Sequence, residues 1–193
     1  MNRGFWTDVL RSGAMLGVVM SLSSIVERYI MAYSDLSLST MSLLYFVEWI
    51  AFIALFIWML YRSARRRAEG CNPRQGFGYA QALSYVLMVS ILTGVVVGVV
   101  TTIFISAMGY EAYIDGMVAR MGEMTPYMAS MDMEKEYVEM LGHTARELRA
   151  AEQPTILDNV LASVNNYIIG GGFVGLIIAA FVRREPNIFI QED

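Results

Sequence analysis

The stretch between Phe77 and Tyr110 contains no charged residue, and this feature constrains the fold more than any other in the chain. A helix rises about 1.5 Å per residue, so about 20 residues cross the hydrocarbon core of a bilayer. The middle of the stretch, residues 83–108, is apolar and long enough to do so. The sequence therefore predicts an integral membrane protein.

The composition agrees with this prediction. Hydrophobic residues make up 56% of the 193 residues and charged residues only 17%, whereas soluble domains carry about 25% charged residues. The net charge of −4 comes with no broadly basic surface, so we expect no nucleic-acid partner. Cys71 is the single cysteine and cannot form an intrachain disulfide.

Four apolar segments have the length of membrane spans, and we predict an all-α membrane protein with one domain over residues 1–193. The predicted spans are residues 12–33, 41–61, 83–108 and 156–182. Between the third and fourth spans, residues 110–155 are predicted to form an extracytoplasmic, periplasmic helical segment. The N-terminus could be mistaken for a signal peptide, but Asp8 and the lack of a clear cleavage site favour an uncleaved first span.

Positive charge is unevenly distributed along the chain. Five arginines lie in a predicted cytoplasmic loop, residues 62–76: Arg62, Arg65, Arg66, Arg67 and Arg74. The positive-inside rule places this loop, and with it both termini, on the cytoplasmic side of a bacterial inner membrane. The arginines are either the topological anchor or a site for anionic lipid headgroups.

Small residues recur at helical spacing in two of the predicted spans. Gly13 and Gly17 form one such pair, and Gly94 and Gly98 form another. These pairs predict close helix contact, either within one bundle or between two copies of the chain. The glycine run in residues 170–175 predicts tight backbone contact or a local break in the fourth span.

Three charged residues lie near the outer ends of the first two spans: Glu27, Arg28 and Glu48. A short turn joins these spans, so they are antiparallel neighbours and Arg28 can pair with Glu48. A charge at the bilayer centre costs about 2.5–3.5 kcal/mol, and less near the interface. The sequence is compatible with a structural intramembrane ion pair and with a proton or substrate site.

The predicted outer segment carries methionines at alternating spacings of three and four: Met117, Met121, Met124, Met128 and Met131. This spacing places them on one helical face. The stripe could pack on the protein or in the headgroup layer, bind a partner through adaptable thioethers, or bind Cu(I). Thr125 and Pro126 predict that one helix ends near Met124 and another runs from Pro126 to Ala151.

No stretch has the spacing of a catalytic or ligand-binding motif. The sequence contains no P-loop, GxSxG, HExxH or CxxC pattern, and His143 is its single histidine. We therefore expect no catalytic residue, no metal site and no cofactor, and we predict that the protein is not an enzyme.

Two short segments resemble a known family. Residues 76–82 (GFGYAQA) follow the arginine-rich loop, and residues 175–186 (GLIIAAFVRREP) end the fourth span. Both are similar to segments of domain-of-unknown-function family 4199 of the Bacteroidota, which also has a charged, Met- and Glu-rich segment before its last span. The resemblance implies a four-span inner-membrane protein without an assigned activity, often found near polyprenyl-phosphate glycosyltransferases.

Together these features predict a non-enzymatic accessory or scaffold subunit of a membrane complex. Its expected partners are membrane lipids and either a membrane protein, such as a polyprenyl-phosphate glycosyltransferase, or a second copy of the chain. The alternative is a small transporter or lipid-handling protein that uses Glu48 and Arg28.

Overall fold

A computed structural model of the protein describes residues 3–34, 36–130 and 135–186. These ranges form six helices: α1 (Arg3–Tyr33), α2 (Leu38–Glu69), α3 (Tyr79–Met108), α4 (Tyr110–Ser130), α5 (Lys135–Ala150) and α6 (Ile156–Val182). Four of them, α1, α2, α3 and α6, are long and apolar enough to cross a membrane. The predicted all-α fold, with four candidate spans and a helical segment between the third and fourth, is confirmed.

The third span is the central helix of the bundle. α3 makes its most extensive contacts with α6 and α1. In the most hydrophobic part of α3 half of the residues are buried, whereas in that of α2 only 11% are. The core joins Tyr85 and Val89 of α3 to Leu16 of α1 and Leu60 of α2. Most of the apolar surface of α2 is exposed, as expected of a helix whose surroundings are lipid.

The small residues of α1 receive side chains of α3. Gly13 lies under Leu92, and Gly17 lies under Val96. A β carbon at Gly17 would lie 2.5 Å from Cβ of Val96, which is too close for non-bonded carbons. The first predicted small-residue pair therefore serves a contact inside the bundle.

The small residues of α3 receive the backbone of α6. A β carbon at Gly94 would lie 2.6 Å from Cα of Val164, and one at Gly98 would lie 2.5 Å from Cα of Val160. Only glycine allows two helix backbones to approach this closely. Of the two interpretations that the sequence allowed, packing within one bundle is the one observed at this face.

The glycine run does not break α6. Gly171 lies against Ser90 of α3, and Gly175 lies against Val86. A β carbon at Gly170 would meet nothing within 4 Å. α6 remains helical throughout the run. Successive glycines therefore point in different directions, and only some of them lie on the face that contacts α3.

An isolated antiparallel bridge joins the start of α3 to the end of α6. The backbone N–H of Phe77 donates to the Arg184 carbonyl and that of Arg184 donates to the Phe77 carbonyl, both at 2.9 Å. Gly76, just before the bridge, has a φ of 67°. The two segments quoted above for their family resemblance therefore meet at one place in the fold.

The predicted loop at residues 62–76 begins later than expected, because α2 continues to Glu69. Gly70 is the first residue after Arg62 that disfavours a helix, and Arg65 pairs with Glu69 one turn later at 3.0 Å. α1 likewise begins at Arg3 rather than at residue 12, so its first turns carry charged residues.

The prediction that Pro126 begins a new helix is wrong. α4 runs from Tyr110 through Pro126 to Ser130, and α5 begins at Lys135. A proline inside a helix removes one backbone hydrogen bond and bends the axis, but the turns on both sides can keep their own bonds. Residues 131–134 lie outside the described residues.

Candidate functional site

The arginines at the end of α2 face two directions. Arg62 and Arg66, one helical turn apart, line a cleft between α1 and α2. Arg65 instead pairs with Glu69, whose carboxylate also lies 3.8 Å from Arg184. The predicted arginine cluster is thus divided into a group that lines the cleft and a group that does not.

An ion pair joins α1 to α2 at the mouth of this cleft. Arg67 Nη1 donates to Asp8 Oδ2 at 2.7 Å, and the Arg67 guanidinium lies 5.8 Å from the ring centroid of Phe5. The Arg67 side chain is 20% exposed. Its Nε is buried and has no hydrogen-bond partner among the described residues. The pair holds the first turns of α1 against the end of α2.

The cleft contains a cavity of about 310 Å³. Its charged lining residues are Asp8, Arg11, Arg62, Arg66 and Arg67, and its apolar ones are Met15, Leu16, Trp58 and Met59. The apolar residues lie one to two turns deeper along both helices than the charged ones. The Arg62 guanidinium stacks 5.0 Å from the Trp58 ring centroid. We call this cavity the arginine cleft.

The predicted ion pair between Arg28 and Glu48 is not formed. Glu48 Oε1 accepts a hydrogen bond of 2.9 Å from Ser23, and Arg28 Nη1 donates at 3.1 Å to the Ser24 carbonyl in its own helix. Arg28 follows Ser23 by five residues, which is about 140° around an α-helix. When Ser23 faces α2, Arg28 therefore faces elsewhere.

Arg28 lies near α4 instead. Burial raises the pKa of the Tyr113 hydroxyl on α4, and the positive charge of Arg28 opposes that rise. Arg28 Nε is buried without a hydrogen-bond partner in the described part of the chain. Glu27 is exposed. It contacts α2 through its backbone carbonyl, which accepts a hydrogen bond of 3.1 Å from the Tyr45 hydroxyl.

At the end of the bundle opposite the arginine cleft, Arg120 of α4 binds the turn between α1 and α2. Its guanidinium donates to the carbonyls of Leu36, at 3.1 Å, and Ser34. One turn earlier, Gly116 lies so close to α1 that a β carbon would be 2.7 Å from Cα of Ala32. These contacts fix the direction of α4.

α5 packs against α4, and the chain then returns to α6. The Tyr110 hydroxyl donates to the Glu152 carbonyl at 3.4 Å, and Gln153 Nε2 donates to Ser106 Oγ at 2.9 Å. We call α4 and α5 together the helical arm. It is attached to the bundle at its first residues, at Arg120 and at its return.

The methionine stripe flanks the face of α4 that packs on α1. Met117 and Met121 each follow a packing residue, Gly116 or Arg120, by one position, or about 100° around the helix. Together with Met124 they are half-buried. The side chain of Met128 and the whole of Met131 lie outside the described residues. Packing, partner binding and Cu(I) binding remain predictions.

Asp8, Arg11 and Arg120 are the residues of these sites that sequence reasoning missed. Asp8 and Arg11 lie before the predicted start of the first span at residue 12, whereas α1 begins at Arg3 and includes both. A signal was present, because Asp8 is an acid on the same side of the membrane as the arginines of α2. Arg120 forms a pair with Glu123 at i, i+3 that the sequence shows, but its two backbone partners, the Leu36 and Ser34 carbonyls, leave no sequence pattern.

Comparisons with known proteins identify a family of unknown function. The family described as "Protein of unknown function (DUF4199)" matches residues 11–184, in agreement with the resemblance drawn from the sequence. No curated protein and no solved structure matches the chain.

Proposed function

We propose a role for this chain from its structure, since the family to which it belongs, DUF4199, has no assigned function. The protein is a non-enzymatic accessory subunit of a membrane complex, and the helical arm is the part that binds a membrane-protein partner. The arm lies on the extracytoplasmic side of a bacterial inner membrane. A polyprenyl-phosphate glycosyltransferase is the partner class that the family resemblance favours.

The observation that carries this proposal is the anchoring of the arm. The Arg120 side chain is only 13% exposed. Its guanidinium donates hydrogen bonds to carbonyls of the turn between α1 and α2. A segment held in place in this way keeps a constant surface, which lowers the entropy cost of binding a partner.

The outer surface of α5 has the composition of a protein-binding surface. Met140 is 55% exposed, and the exposed residues near it on the helix, Glu139, His143 and Glu147, are polar or charged. A flexible thioether within a charged rim adapts to a partner surface at low cost.

The described residues contain no group of three or more His, Cys, Asp and Glu side chains placed to hold a metal ion. His143 lies 3.4 Å from Glu147, one turn later on α5, and both side chains are about two-thirds exposed. An exposed pair of this kind is ordinary on a solvated helix.

The proposal is tested by photocrosslinking in native membranes. A photoreactive phenylalanine is placed at Met140, and the matched control carries it at Phe173 of α6, which is 72% exposed but away from the arm. We expect a discrete adduct with a second membrane protein from position 140 and not from position 173. Adducts of equal yield from both positions, or none from position 140, contradict the proposal.

The alternative, a small transporter using Glu48 and Arg28, gains less support. Neither residue lines the arginine cleft or a second cavity, which lies between α4 and the end of α1 and is lined by Arg120 and Ser34. Glu48 and Arg28 each bond to a different serine of α1 rather than to each other. Transport that is lost in Glu48→Gln but kept in Glu27→Gln would restore this alternative.

A further inference from the structure

We infer that the arginine cleft binds the phosphate-bearing headgroup of an anionic phospholipid, with Arg11, Arg62 and Arg66 as its charged ligands. The site lies at the opposite end of the bundle from the helical arm. It is independent of the proposed partner-binding role.

The charges of the cleft are unbalanced. Four arginines and one acid, Asp8, line it, and Asp8 is already bound to Arg67 at 2.7 Å. Arg11, Arg62 and Arg66 form no ion pair within the described part of the chain, and all three are exposed. Guanidinium groups bind phosphate oxygens by two parallel N–H donors, so a phosphate is the ligand that these side chains fit best.

The geometry restrains one of the proposed ligands and the two helices that carry the others. Arg62 is stacked on Trp58 at 5.0 Å, and the Asp8–Arg67 pair fixes the two helices that carry the cleft. Arg67, which also lines the cavity, is held by Asp8 and is only 20% exposed in its side chain. Preorganised donors lose little entropy on binding.

The apolar walls indicate a lipid. Met15 and Leu16 on α1, and Met59 on α2, line the same cavity one to two turns deeper than the arginines. A free phosphate would contact only the arginines, whereas a phospholipid also places the start of an acyl chain along these side chains. A cavity of about 310 Å³ has room for a headgroup and the first carbons of one chain.

A purely topological role does not account for this arrangement. Positive charge anywhere at the membrane edge is enough to orient a span. Here Arg65 is neutralised by Glu69 on a different part of the α2 surface, while Arg62 and Arg66 remain unpaired and line a cavity. The two groups of arginines therefore make different predictions when they are substituted.

The test uses the purified full-length protein in mild detergent and soluble dihexanoyl phosphatidylglycerol as the probe. Binding is followed by thermophoresis, with dihexanoyl phosphatidylcholine and inorganic phosphate as comparison ligands. The variant Arg62→Gln/Arg66→Gln removes two charges from the cleft. The matched control, Arg65→Gln/Arg184→Gln, removes two charges outside it.

We expect the cleft variant to weaken phosphatidylglycerol binding at least tenfold, about 1.4 kcal/mol, and the control to change it less than twofold. Phosphatidylcholine and inorganic phosphate should each bind the unaltered protein at least tenfold more weakly than phosphatidylglycerol. Equal losses in the two double variants would overturn the inference in favour of general surface charge. Phosphate binding as tight as the lipid would overturn the lipid as the source of the anion.

A second variant keeps every arginine and fills the cleft. Ser63 lines the cavity between Arg62 and Arg66 along α2, and its hydroxyl donates at 2.9 Å to the Leu60 carbonyl and also lies within hydrogen-bond reach of Tyr85 on α3. Compared with Ser63→Ala, which removes the same hydroxyl without filling the cleft, Ser63→Phe should weaken phosphatidylglycerol binding severalfold. Unchanged binding in this variant would place the lipid elsewhere.

Discussion

Phe77 and Arg184 exchange two backbone hydrogen bonds of 2.9 Å, so the chain two residues before the central helix is fixed to the chain two residues after the last one. The Phe77 side chain is 3% exposed and belongs to the core. The bridge holds α3 and α6 together at one end. Further along, Gly94 and Gly98 of α3 pack against the backbone of α6, so the relative position of the two helices is determined at both places. Among the described helices, these two make the most extensive contacts with each other.

Gly76→Ala is expected to destabilise the protein by about 2 kcal/mol. Gly76 has a φ of 67°, and a β carbon there would lie 2.7 Å from the Arg184 carbonyl oxygen. A left-handed conformation alone costs a residue with a side chain about 1–2 kcal/mol. Thermal unfolding in detergent should show a midpoint lower by about 4–8 °C.

The matched control for this prediction is Gly78→Ala, two residues later. Gly78 has a φ of −68° and would place its β carbon in open space. We expect its midpoint to stay within about 2 °C of the unaltered protein. If both variants behaved alike, the bridge would not be a determinant of stability.

Gly98→Leu should separate α3 from α6. A β carbon at this position already meets the Val160 backbone at 2.5 Å, and backbone cannot give way as a side chain does. Overpacking of this kind costs about 1–3 kcal/mol or more. The control is Gly170→Leu on α6, where nothing lies within 4 Å. Unfolding midpoints measured side by side check the prediction, and a Gly98 variant as stable as the control contradicts it.

Hydropathy and glycine spacing were enough to predict the four long helices and the close contacts among them. The bounds predicted for the fourth, residues 156–182, coincide with α6, because Thr155 and Asp158 cap its start and Arg183 follows its end. The spacing of Gly94 and Gly98 correctly predicted a contact face on α3, but it did not predict that α6 is the helix that packs there. Partner choice depends on the three-dimensional path of the chain, which spacing alone does not encode.

Side-chain partners could not be predicted in the same way. Arg28 and Glu48 are near each other along antiparallel helices, yet local hydrogen bonds to Ser24 and Ser23 satisfy them separately. Which side of a helix a charge faces depends on a few tens of degrees of rotation. The arginine cleft was missed for the same reason, since Asp8 joins it only because α1 extends to Arg3.

Arg120→Gln should loosen the helical arm without unfolding the bundle. The substitution removes a charge whose donors reach the Leu36 carbonyl at 3.1 Å and Glu123 at 2.8 Å. Hydrogen bonds to charged groups contribute about 1.5–3 kcal/mol. Amide hydrogen exchange in α4 should therefore become roughly 10–100 times faster, with α3 unchanged.

The control for the arm is Arg149→Gln. Arg149 is 62% exposed and lies 3.7 Å from Asp115, an ion pair at the surface. Such pairs contribute at most about 1 kcal/mol, so exchange in α4 should change less than about fivefold. Equal acceleration in both variants would show that Arg120 does not hold the arm.

The orientation of the chain can be read from engineered thiols. Cys71 is the single cysteine, so Cys71→Ala gives a background without thiols. Glu139→Cys is placed on the exposed surface of α5, and Gln75→Cys on the exposed turn after α2. With the arginines on the cytoplasmic side, a membrane-impermeant maleimide added to intact spheroplasts should label position 139 and label position 75 only after lysis. The reverse pattern would invert the orientation and place the arm, and its partner, inside the cell.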